Sequence, residues 1–111
     1  MPTVNIYYRT SAQHKAVEAQ AKELRSFLAE TLTCGEIHLQ PDEISLRLLE
    51  TPSNHMRGDI ELDITAHAFK ERVEKQDEIC IKTKDFLESL MPEYRIEVWL
   101  ALPQLGHSVK N

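Results

Sequence analysis

Glycine is scarce in this chain, three residues in 111, and none forms a repeated-glycine loop that cradles phosphates. Cys34 and Cys80 are the only cysteines and lack paired metal-ligand spacing, which fits thiols kept reduced in a cytoplasmic setting rather than a disulfide framework. His14, His38, His55, His67 and His107 show no His-x-x-x-His or related spacing, so neither a metal nor a cofactor is expected. Basic excess is missing as well: 13 Lys and Arg against 18 Asp and Glu leave a net charge of -5, with both signs interspersed. Nucleic-acid binding, which needs a basic face to neutralise phosphates, is not expected. No apolar run approaches the ~20 residues of a membrane-spanning helix. The basic start and long apolar stretch of a secretory signal are also absent, so the expected location is the cytoplasm.

What is present is a pattern stated twice. Residues 3–8 alternate, with Val4, Ile6 and Tyr8 on one side and Thr3, Asn5 and Tyr7 on the other, the two-residue period of a half-buried strand. Thr10-x-x-Gln13 matches a capping box, and Val17, Ala21, Leu24 and Leu28 recur at helical spacing, which predicts a helix running to about Thr31. After Pro41, Ile44, Leu46 and Leu48 alternate with Ser45, Arg47 and Leu49 as a second strand. The segment 51–58 is dense in turn formers. The plan then repeats. Ile60, Leu62 and Ile64 mark a strand, and a helix from about Glu71 carries Ile79, Thr83, Phe86 and Leu90 on one face until Pro92 stops it. Residues 95–102 close the repeat as a strand, with Ile96, Val98, Leu100 and Leu102 facing one way.

The expectation is a single α/β domain over 1–111, with pseudo-repeats at about 2–50 and 59–102. A crossover helix between two strands makes them parallel and right-handed, so two such units side by side give a four-stranded mixed sheet with both helices on one face. The other face would carry Asn5, Arg47, Glu61, Asp63, Arg95 and Glu97, neither a clean solvent face nor a core. Two readings stand. The face is wet in a monomeric ferredoxin-like domain, or it encloses a shared interior among several copies.

Pro2 opens the first strand, a position that suits a residue without a backbone N–H. Methionine ahead of so small a residue is normally removed, and that would leave Pro2 with a free secondary amine able to act as a base. An α-amino group titrates at ~8, and a secondary amine higher, so a working base at neutral pH needs burial or a nearby cation to lower it. Arg47, off the helix-facing side of its strand, is the leading cation; the alternative is that it pairs with Glu61 or Asp63 across the sheet.

With these residues the sequence resembles the tautomerase superfamily, which includes 4-oxalocrotonate tautomerase (4-OT), 5-carboxymethyl-2-hydroxymuconate isomerase and macrophage migration inhibitory factor (MIF). The resemblance is carried by Pro2 after Met1, by Ser45-Leu-Arg-Leu-Leu-Glu50, and by the strand, turn and helix of 59–90, and it covers 2–102. It implies a homotrimer and a cofactor-independent keto-enol tautomerase or isomerase acting on a small carboxylated enol or dienol, 2-hydroxymuconate-like. In that reading Pro2 is catalytic, while Arg47, Arg9 and Arg57 bind substrate. One feature departs: the turn after the first strand reads Arg9-Thr10-Ser11-Ala12, with alanine where small members carry a substrate-binding arginine. That departure favours the alternative, a tautomerase-like binding or interaction protein with weak catalysis.

Overall fold

The structure, a computed structural model, describes residues 2–35, 37–51 and 56–104. Strand β1 spans Thr3–Tyr8 and buries Val4, Ile6 and Tyr8 on alternate positions. The capping box forms: the Thr10 hydroxyl oxygen accepts from the Gln13 amide at 3.1 Å, and Gln13 Oε1 accepts from the Arg9 and Thr10 amides at 2.7 and 3.1 Å. The helix it starts is not continuous. It divides into α1, Ser11–Ala19, and α2, Ala21–Leu32, where Gln20 leaves helical geometry at φ -102 and ψ 4. The buried stripe Val17, Leu24, Leu28, Leu32 keeps helical spacing across the break, which is why periodicity alone predicts one helix.

A short 3-10 turn, Pro41–Glu43, precedes β2, Ser45–Glu50, and β3 is Ile60–Thr65. The second helix divides in the same way, at Lys75, into α3, Lys70–Glu74, and α4, Gln76–Leu90; β4 is Ile96–Ala101. The turn-rich stretch predicted at 51–58 falls partly outside the described residues.

The sheet order is β2-β1-β3-β4, with β1 parallel to β2, β1 antiparallel to β3, and β3 parallel to β4. The core lies between the sheet and the helices: Val4, Ile6, Ile60, Leu62, Ile64 and Ile96 from the strands meet Val17, Leu24, Leu28, Ile79 and Leu87 from the helices. Burying each aliphatic side chain is worth about 1.5–3 kcal/mol, so this seam carries the fold. Phe27 of α2 stacks on Phe86 of α4 with ring centroids 4.1 Å apart.

On the outer face, register places Arg47, Asn5, Asp63 and Trp99 in one row across all four strands. Asn5 separates Arg47 from Asp63, and no Arg47 ion pair with Asp63 or Glu61 forms among the described residues.

The antiparallel contact between β1 and β3 decides what comes together. At one rim Thr3 pairs with both Ser45 and Thr65, so the start of β1 lies beside the start of β2 and the end of β3. At the other, Asp59 clamps the chain: Oδ1 accepts from Arg9 Nη2 at 3.1 Å and Oδ2 from the Arg95 amide at 2.9 Å. Gly58 beside it is buried, and a Cβ there would stand 2.9 Å from the Arg95 carbonyl oxygen.

Candidate functional site

Pro2 is buried and shares the parity of Val4 and Ile6, so it sits at the helix side of the sheet, with its carbonyl accepting from the Ser45 amide at 3.1 Å. It lines a cavity of about 230 Å³ whose other described walls are Ile37, Leu39, Glu43, His67, Phe69 and Arg72. The register explains this gathering. Glu43 arrives from the 3-10 turn before β2, His67 and Phe69 from the connection after β3, and Arg72 from α3 directly behind that connection; the turn and the connection both abut the start of β1.

Arg72 is the unexpected member. Only 3 % of its surface is exposed, yet no carboxylate pairs with it among the described residues. Its Nε–H donates to the Leu32 carbonyl at 2.9 Å and its Nη1 to the His67 carbonyl at 3.0 Å, which pins the end of α2 to the β3–α3 connection. A guanidinium has further donors beyond these. Burial lowers its pKa below the ordinary value, with Cys34 nearby acting in the opposite direction. An arginine starts so high that it stays charged at any ordinary pH. The Phe69 ring has two partners: the His67 imidazole stacks on it at 4.4 Å between centroids, and the Arg72 guanidinium carbon sits 5.0 Å from its centre. Glu43 is held too, its Oε1 accepting from the Gln40 amide at 2.8 Å.

Size does not single out this cavity. One of about 380 Å³ also has Arg72 in its wall, with Cys34, Glu30, Glu71, Glu78, Lys75 and Lys82 among others, and one of about 350 Å³ lies on the outer sheet face by Tyr7, Asp63 and Trp99. The Pro2 cavity differs in chemistry: it combines an imino-acid start of strand, one buried cation, one carboxylate and an aromatic wall.

The arginines expected from the sequence lie elsewhere in the chain. Arg47 is exposed on the outer face, across the sheet from Pro2. Arg9 is at the opposite end of β1, about 20 Å away by strand rise, occupied with Asp59. Arg57 is exposed at that same far rim, its amide donating to Glu61 Oε2 at 2.6 Å. Ala12, on α1, also belongs to that end. A signal for Arg72 was present in the pattern. The buried stripe Ile79, Thr83, Leu87 extends back by seven residues to Arg72, just as Leu24, Leu28, Leu32 extends back to Val17. An arginine where helical spacing calls for an apolar residue marks a cation carried inward.

Cys80 is half-buried on α4, away from the Pro2 cavity, and burial, with Asp77 adding, pushes its thiol above the ordinary 9.0. It is a poor nucleophile. No helix among the described residues is long and apolar enough to cross a membrane, and no cluster of His, Cys, Asp or Glu among them is arranged to hold a metal.

No protein-family model matches the chain, and no curated protein matches it either. Solved structures do. A protein of unknown function from Vibrio cholerae superposes with a TM-score of 0.66 at 14 % identity, covering 93 % of this chain and 78 % of its own. A fused 4-OT symmetric trimer gives 0.63 at 14 %, covering 92 % and 85 %. A MIF-like protein from Entamoeba histolytica gives 0.59 at 12 %, covering 94 % and 88 %. The chain has the tautomerase-like fold.

Proposed function

We propose that the chain is a cofactor-independent tautomerase or isomerase, in which Pro2, made terminal by removal of Met1, transfers a proton on a small carboxylated enol or dienol. The observation that carries this reading is Pro2 lining a cavity with a buried Arg72 that forms no ion pair among the described residues. Burial of the amine and a cation on the same cavity wall each disfavour its ammonium form; a cation ~6 Å from such an amine, at an effective dielectric of ~20, would contribute about 3 kcal/mol, or about two pKa units. Glu43 acts the other way, so the balance of these charges sets the pKa of the base.

A neutral Pro2 nitrogen takes the enol hydroxyl proton as the ketone forms and returns a proton to carbon, so one base completes the isomerisation. Arg72, in place of Arg47, takes the substrate carboxylate through its free donors and stabilises the negative charge delocalised in the enolate. We also propose a homotrimer, supported by the half-exposed Trp99 and Leu49 on the outer face.

The test is ketonisation of 2-hydroxypenta-2,4-dienoate followed by ultraviolet absorbance, with intact mass measured on the same preparation. A mature chain lacking Met1 and a fall of about 100-fold or more in Pro2→Ala support the reading. Retained methionine, or a Pro2→Ala variant with unaltered turnover, overturns it.

A further inference from the structure

Resting on the reading of the Pro2 cavity as the substrate site, we infer that it selects a monocarboxylate that also carries a hydroxyl able to donate a hydrogen bond, and rejects dicarboxylates, with Glu43 as the residue that discriminates. Among the described residues the cavity carries one permanent cation, Arg72, and one carboxylate, Glu43, with His67 and Pro2 on the same wall. Arg72 is 3 % exposed and unpaired with any carboxylate among the described residues, so it offers a desolvated anchor for one anionic group. A cation buried this deeply gains most from a ligand that brings the missing anion with it.

Glu43 sets the second requirement. An ionised carboxylate only accepts hydrogen bonds, so a ligand group facing it must donate. Its geometry is fixed at one oxygen, where Oε1 accepts from the Gln40 amide at 2.8 Å, which leaves Oε2 for a ligand. A second ligand carboxylate would meet Glu43 as a like charge. At ~5 Å and an effective dielectric of ~20, that repulsion disfavours a dianion by about 100-fold. Among the described residues the remaining walls are Ile37, Leu39, Phe69, His67 and Pro2, with no second lysine or arginine to offset it. A volume of about 230 Å³ lies below the ~300 Å³ at which drug-sized sites begin, so the ligand is an acid of a few carbons.

The experiment uses 3-hydroxypropanoate and malonate, equal in length and differing in the second end, with affinities measured by NMR titration on the mature chain. The wild-type protein should bind 3-hydroxypropanoate at least about 10-fold more tightly than malonate. Glu43→Gln, whose amide oxygen still accepts from Gln40, should bring the two within about twofold by improving malonate. Malonate bound as well as the hydroxy acid by the wild type, a ratio unmoved in Glu43→Gln, or no binding of either acid at tens of millimolar overturns the inference. Pro2→Ala separates this from the catalytic reading, because it should keep the binding preference even when turnover is lost. An intact preference beside unaltered Pro2→Ala turnover would sink the proton-transfer proposal alone.

Discussion

Arg72 places a positive charge where its own helical stripe calls for an aliphatic side chain, and the cost of that burial is repaid only in part by the Leu32 and His67 carbonyls. Replacement by methionine keeps most of the volume, relieves the desolvated charge and strands two acceptors beside cavities that water can enter. Those effects oppose one another, so Arg72→Met should change unfolding free energy by no more than about 2 kcal/mol. Turnover on a carboxylated enol should nevertheless fall by about 100-fold, roughly the loss of one charge-assisted anchor. Denaturant titration alongside kinetics checks both halves. A stability loss above about 4 kcal/mol would make Arg72 a strut and not a ligand anchor.

At the scale of elements, Gly58, just before β3, packs against the Arg95 carbonyl, just before β4, so closely that an added Cβ would stand 2.9 Å from it. The obstacle is backbone within a paired sheet edge, so it cannot rotate aside. Gly58→Ala should cost about 1–3 kcal/mol, read as a lower urea midpoint with an unchanged slope. Strand alternation made β1, β3 and β4 legible in the sequence, and the Thr10–Gln13 box located the first helix start, because period and capping are local properties. The break at Gln20 left no trace, since the apolar stripe runs through it, and the one at Lys75 was equally silent, since the buried spacing continues through it to Arg72. The strand on which Arg47 lies was also legible, and its outward parity as well. Which rim Pro2 occupies was not, because it depends on the antiparallel pairing of β1 with β3, a long-range choice invisible to periodicity. That pairing brings the second turn to Pro2, while a sequence search for the substrate arginine looks naturally to the first.

Across the whole molecule, the outer sheet face is the surface that a single chain leaves unfinished. Asn5 Oδ1 is buried there without a hydrogen-bond partner among the described residues, in the same row as Trp99, which is 50 % exposed. Native proteins seldom leave such an atom orphaned. The proposed trimer predicts a sedimenting mass three times that of the chain. Trp99→Asp, which charges the apolar end of the row, should reduce it to a monomer with unchanged far-ultraviolet dichroism. A wild-type chain sedimenting alone would reject the trimer. The seam between β1 and β3 carries one practical corollary. Because Pro2 and the Asp59 clamp are about 20 Å apart, a dye or immobilising linker coupled through Arg57→Cys would ride on the quiet pole of the protein and leave the reactive one unobstructed.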